Sequence, residues 1–290
     1  MGNLKIGDIV ARKSYGGDIL FKVVDIRQSE NENIITLKGL NYRIEADAPE
    51  SDLEVQSEKR IEEYNRQTNM PVRSKASKGA GHRFGFYPKA SDRNTPNDEA
   101  KRFTRSGRVL HLDGDEDYLN RCLEEYKKLG INAVGKHVPE SQQPASVKAL
   151  LAQYEPDILV LTGHDGIYKE SQDYLNVNNY RNSKYFIEAV KEARKYEPDV
   201  DRLVIFAGAC QSMYKGILDA GANYASAPYR VLIHALDPVL VAQKIAMSGI
   251  DKILNPTVVI GNTRTGYKGI GGIETRGKLR NGYPEEPYAK

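Results

Sequence analysis

From Arg108 to about Met247 the chain alternates short apolar runs of strand length with longer stretches of helical periodicity. Strands that return to one sheet in the same direction need a crossover of a dozen or more residues. This alternation therefore specifies an α/β fold with a doubly wound, mostly parallel sheet. The strands read as Arg108 to Asp113, Ala133 to Val138, Asp157 to Thr162, Leu203 to Ala207 and Arg230 to Ala235. Helices fall at about Asp117 to Leu129, Ala145 to Gln153, Lys184 to Lys195 and Pro238 to Met247, with Gly130 placed to end the first. A sixth strand signal, Asp251 to Ile260, is interrupted by Pro256, and the Gly- and charge-rich C-terminal stretch reads as irregular or as a hairpin.

From Lys5 to about Val55, apolar bursts such as Ile9-Val10, Ile19 to Ile26 and Ile34 to Leu37 are separated by turn residues. Short strands at this spacing predict a small β-barrel, SH3-like. Between Tyr64 and Gly107 ten basic residues stand against three acidic ones, interspersed with Pro, Gly, Ser and Asn. That composition cannot bury a core and reads as a flexible linker. The expected organisation is a barrel domain over 1–56, a basic linker over 57–107 and an α/β domain over 108–290.

No run approaches the roughly 18 apolar residues that a membrane span needs, so no membrane partner is expected. The opening Met1-Gly2-Asn3-Leu4-Lys5 lacks the layout of a secretory signal, which predicts a protein kept inside a cell. The only cysteines, Cys122 and Cys210, suit a reducing compartment and exclude a disulfide framework. A net charge of +3 is too small to argue for a nucleic-acid partner.

In doubly wound sheets, ligands bind beyond the carboxyl ends of the strands, where the loops converge. The run Ile158 to Thr162 is followed by Gly163-His164-Asp165-Gly166, and Leu203 to Phe206 by Ala207-Gly208-Ala209-Cys210-Gln211-Ser212. If these strands are neighbours they lie about 4.8 Å apart, close enough for an imidazole and a thiol beyond their ends to meet. Cys210 is then a candidate nucleophile with His164 as its acid/base partner, and a helix from Met213 to Ala220 would put the thiol at a helix start, which favours the thiolate. The amides of Gly166 and Cys210 are the natural oxyanion donors. A lone cysteine after an apolar strand is usually an inert buried thiol, and a lone loop histidine is usually structural. Their placement on one edge, framed by small residues, favours the catalytic reading.

A hydrophobic strand ending in His-x-Gly, with a second strand and Ala-Cys 46 residues after the histidine, resembles the caspase, legumain and gingipain group of cysteine peptidases. Gly208 and Ser212 depart from the caspase pattern, so a specificity for Asp is not carried over. The whole chain more closely resembles the sporulation-specific YabG peptidases of spore-forming bacteria. The resemblance rests on Ile6-Gly7-Asp8-Ile9-Val10-Ala11-Arg12-Lys13-Ser14-Tyr15, Leu110-His111-Leu112-Asp113-Gly114-Asp115, Gly163-His164-Asp165-Gly166 and Gly208-Ala209-Cys210-Gln211-Ser212. It implies a caspase-like peptidase domain and a peptidase of the mother cell, associated with the spore coat. Its protein substrates would be spore coat and cortex-lysis precursors, cut after Arg.

Binding Arg demands a carboxylate at the bottom of the pocket, and Asp113, Asp115 and Asp237 follow strands that flank the dyad. Each is an ordinary helix cap on the competing reading, Asp237 before Pro238 above all. An exposed Arg-rich linker beside such an enzyme is itself a substrate, so self-cleavage is expected between Tyr64 and Arg105. No metal or other cofactor is expected, since His164-Asp165 lacks further ligands at suitable spacing. Cys122, His111 and His234 read as core residues. The competing functions are a receiver-like phosphoacceptor built on Asp113 and Asp115, and nucleic-acid or protein binding by the linker and barrel.

Overall fold

The structure, a computed structural model of the chain, describes residues 4–28, 32–70, 102–168, 171 and 173–285. The N-terminal part is a five-stranded antiparallel sheet of β1 (Ile9–Arg12), β2 (Leu20–Arg27), β3 (Ile34–Gly39), β4 (Glu45–Pro49) and β5 (Leu53–Val55). Its order is β4-β3-β2-β1-β5. Every other residue of β3 is buried, the alternation of a sheet with one covered face. β4 and β5 stand at the two ends of this order, and no β4–β5 pairing closes the sheet among the described residues.

Helix α1 (Glu58–Thr68) occupies the start of the stretch read as linker. Ser57 caps it by accepting from Arg60 N, and Tyr64 and Ile61 pack on Ala11 and Leu20 of the sheet. The basic count from Tyr64 onward hid this helix, because its apolar face is only two residues wide. The far end of the same stretch holds β6 (Phe103–Arg105), and 71–101 lie outside the described residues.

The second part runs β7 (Val109–Asp113), α2 (Glu116–Lys128), β8 (Ala133–His137), α3 (Gln143–Tyr154), β9 (Ile158–Thr162), α4 (Ser183–Tyr196), β10 (Val204–Ala207), α5 (Tyr214–Asp219), β11 (Tyr224–Ser226), α6 (Asp237–Ala246), β12 (Ile253–Leu254), α7 (Pro256–Ile260), β13 (Ile270–Gly272), β14 (Thr275–Arg276) and β15 (Arg280–Gly282). The main sheet has the order β13-β11-β10-β9-β7-β8, parallel except for the antiparallel edge strand β13. Strands β7 and β9 are buried on both faces, with α2 and α6 over one and α3, α4 and α5 over the other. The fold is therefore a doubly wound α/β sheet.

Two strand expectations are corrected. Residues 230–235 join no sheet, and β11 takes the fifth parallel place. Ile233 and His234 are nonetheless buried, because the segment runs between the main sheet and the N-terminal sheet, where Ala235 N donates to Asn41 O and Arg43 N to Ile233 O. Its apolar character reflects that interface. The Val258 to Ile260 run belongs to α7, started by Asn255 as cap and Pro256 in the first turn.

Candidate active site

In sequence order the five parallel strands are arranged 2-1-3-4-5, and the direction of winding reverses between β7 and β9. A crevice opens at the carboxyl ends beside such a switch point. Asp115 follows β7, His164 follows β9, and Cys210 follows β10. Leu161 and Ala207 are paired across β9 and β10, and His164 and Cys210 each lie three residues beyond that pair. Both line a cavity of about 200 Å³ with Arg43, Ile44 and Glu45 of the N-terminal sheet and Leu232 of the interdomain segment.

The turn out of β10 needs glycine. Gly208 has φ +107°, where L side chains are strained, and a Cβ there would press on Ile217, Ser212 and Ser226. The loop is tied to its neighbour through Ser212, whose hydroxyl accepts from Ala209 N at 2.9 Å and donates to Asp165 Oδ2 at 2.8 Å. Asp165 also accepts from Gly166 N, Asn182 N and Ser183 Oγ, so its oxygens are fully occupied. Burial pushes its carboxyl above the usual range.

His164 is held on three sides. Its Nε2 is 2.8 Å from Asp115 Oδ2, its amide donates to Glu140 Oε1 at 2.6 Å, and its carbonyl accepts from Asn182 Nδ2 at 2.9 Å. A Cβ at Gly114 or Gly163 would overlap the Glu140 carboxylate, so these glycines make room for the acid that anchors the His164 backbone. Asp115 caps α2 by accepting from Tyr118 N with Oδ1. Although burial opposes its charge, bonds from His164, Lys38 and Tyr118 N hold its carboxyl well below the usual range.

The model of the YabG peptidase U57 family matches residues 5–284, both sheets included. The chain belongs to that peptidase family. It is similar to the sporulation-specific protease YabG of Bacillus subtilis (strain 168), at 43% identity over 97% of this chain and 98% of that protein. Family membership makes the chain a peptidase. No helix among the described residues is long and apolar enough to cross a membrane.

In this YabG-family chain the three carboxylates expected to supply a substrate pocket all turn inward. Asp113 is buried against Arg43, with 2.8 Å between Oδ2 and the guanidinium, and Asp115 holds His164. Asp237 is buried and accepts from Arg264 N and Thr265 N, with its carboxyl pushed up to about 6 by burial. The sequence shows which acids follow strands but not which are taken by internal donors. Gly166 N, one of the two expected oxyanion donors, donates to Asp165 Oδ1. Helix α5 starts four residues after Cys210, so the thiol is not at a helix start. His111, His234 and Cys122 are buried, as expected of core residues, although His234 lies outside any strand.

The residues that sequence reasoning missed, Lys38, Arg43 and Glu45, sit in an N-terminal stretch with no periodicity that points at the site. Asp165 and Glu140 were visible only as loop polars.

Cys210 is 2% exposed, and its Sγ accepts from Ile233 N at 3.2 Å. Burial pushes the thiol up to about 11, so at pH 7 roughly one molecule in ten thousand carries a thiolate. Iodoacetamide labelling of Cys210, followed by peptide mass spectrometry, is expected to be slow at pH 7 and to rise about tenfold per pH unit up to that pKa. Fast labelling at neutral pH would mean that the Ile233 cover is open in solution.

Proposed function

We propose that this peptidase is a cysteine endopeptidase of caspase-like architecture, with Cys210 as nucleophile, His164 as acid/base and Asp115 orienting the imidazole. The observation that carries the reading is the convergence of that thiol and that carboxylate-bound imidazole on one cavity at the switch point of the sheet. Cys210 Sγ adds to the scissile carbonyl as its proton passes to His164, which then protonates the departing amine. Water, deprotonated by His164, releases the acyl group from sulfur. Substrate entry displaces Leu232 and Ile233 from the thiol, and the Cys210 amide faces the developing oxyanion, joined by Gly166 when Asp165 turns away.

Cleavage after Arg fits the cavity lining. Asp165 is saturated, whereas Glu45 is half-exposed and its one basic neighbour within 4 Å among the described residues is His164 Nε2, at 3.7 Å. Glu45 is thus the carboxylate open to a basic side chain, with Ile44 and Leu232 beside its stem. The similar protein is a sporulation-specific protease, and we extend that to substrates among spore coat and cortex-lysis precursors, a mother-cell location and association with the coat. The basic stretch between Tyr64 and Arg105 is proposed as a site of self-cleavage. A phosphoacceptor is disfavoured, because Asp113 is sealed behind Arg43 and Asp115 is bound to His164.

The test is incubation of the purified chain with fluorogenic peptides that differ in the residue before the cut. Hydrolysis after Arg, at least about tenfold above Gln or Glu peptides, is expected, together with fragments ending between Tyr64 and Arg105. A folded protein that cuts none of the peptides and stays one intact band would sink the proposal.

A further inference from the structure

Asp115 Oδ2 receives two donors. His164 Nε2 and Lys38 Nζ each lie 2.8 Å from it, and Lys38 also reaches Asp117 Oδ2 at 2.9 Å. Lys38 belongs to β3, whereas Asp115 and His164 follow strands of the main sheet, so the N-terminal sheet delivers a cation to the acid that holds the imidazole. The capping duty of Asp115 is met by Oδ1, and α2 does not need this ammonium in order to start. Partial burial disfavours the charge on Lys38, and the two carboxylates more than reverse that, so it stays protonated.

We propose that Lys38 is a positioning residue of the peptidase site, setting through Asp115 both the orientation of His164 and the pH range in which the enzyme works. This rests on the Cys210 and His164 reading above. The charges around the imidazole show why a cation matters. Glu45 Oε1 is 3.7 Å from Nε2 and Asp115 is in contact with it, while Glu140 binds the backbone amide. The Tyr118 ring lies 5.8 Å from the imidazole and 5.7 Å from Lys38 Nζ, with Arg43 and Arg121 over that same ring. Asp165, Arg181 and Cys210 complete the cavity side. Two acids thus face His164 directly, and Lys38 is the cation that shares one of them.

Removing a fixed positive charge makes proton loss harder for imidazole and thiol alike, so both limbs of the bell-shaped profile should move the same way. The experiment compares kcat/KM against pH for the full chain, Lys38→Met, Lys38→Gln and Lys38→Arg, with Cys210→Ala alongside. Lys38→Met and Lys38→Gln are expected to move both limbs to higher pH by about one unit, the Coulomb effect of losing a nearby charge in a partly solvated site. Lys38→Gln retains a donor and guards against loss of folding, and Lys38→Arg should return the limbs toward wild type. Met and Gln profiles that superimpose on wild type after scaling, or an Arg variant that stays shifted like them, would overturn the proposal. If Cys210→Ala keeps its activity the dyad reading fails first. An inactive Cys210→Ala with unmoved Lys38 profiles defeats the Lys38 inference alone.

Discussion

Cys210→Ala and His164→Ala are each expected to lower kcat/KM for an Arg peptide by at least about ten-thousand-fold, and the double variant by scarcely more than either alone. The near-equality is the informative part. A nucleophile and its proton acceptor act as one unit, so once either is gone the other has nothing to do, and what remains is the contribution of binding and oxyanion contacts. The fold should survive both changes. Cys210 gives up only a sulfur, and His164 is held largely through its backbone, by Glu140 and Asn182. Circular dichroism and melting curves close to wild type would therefore accompany the loss of activity. Activity that persists in either variant would remove that residue from the mechanism.

Arg43→Ala should destabilise the protein by about 3–5 kcal/mol, the cost of leaving a buried charge without its partner. Arg43 and Asp113 both have side chains with 0% exposure, joined at 2.8 Å, and the guanidinium also lies over the Tyr118 ring and reaches Ala235 O at 3.5 Å. At this chain length the melting temperature should fall by about 10 °C. Replacing both partners, as Arg43→Met with Asp113→Leu, should recover much of that loss, since it is the orphaned charge and not the missing attraction that costs most. The pH dependence follows with its sign. Burial opposes the Asp113 charge, but Arg43 and His111 hold the carboxyl at about 2, so the pair's contribution is complete above the ordinary Asp range near 4 and is lost as pH falls toward 2. Thermal melts across that window should show a loss in wild type that the double replacement lacks.

The parallel sheet was legible because β7, β9 and β10 are mostly apolar and buried along their whole length, the mark of strands covered on both faces, and because their crossovers keep helical periodicity. That His164 and Cys210 meet at one cavity could be foreseen from their positions after neighbouring strands. What misled was burial of another origin. The 230–235 segment is apolar because it fills an interface, and α1 was hidden because a single buried tyrosine anchors it in a strongly charged stretch. The roles of Asp113, Asp115 and Asp237 could not be separated in sequence, since each depends on a donor far along the chain: Arg43, His164 and Thr265 respectively. For the same reason the contribution of the N-terminal sheet to the site had no local signature.

The joint between the two sheets combines the backbone bonds of 233–235 to Asn41 and Arg43 with side chains set on carbonyls and charges. Tyr118 Oη donates to the carbonyls of Gly39 and Tyr42, Arg121 reaches Leu40 O and Asn41, and Arg43 is sealed against Asp113. None of these contacts involves the stretch 71–101. A nick in that stretch would therefore change the covalent state of the molecule without separating its halves: the product is a two-chain enzyme, and only denaturation would tell it from the intact form by size.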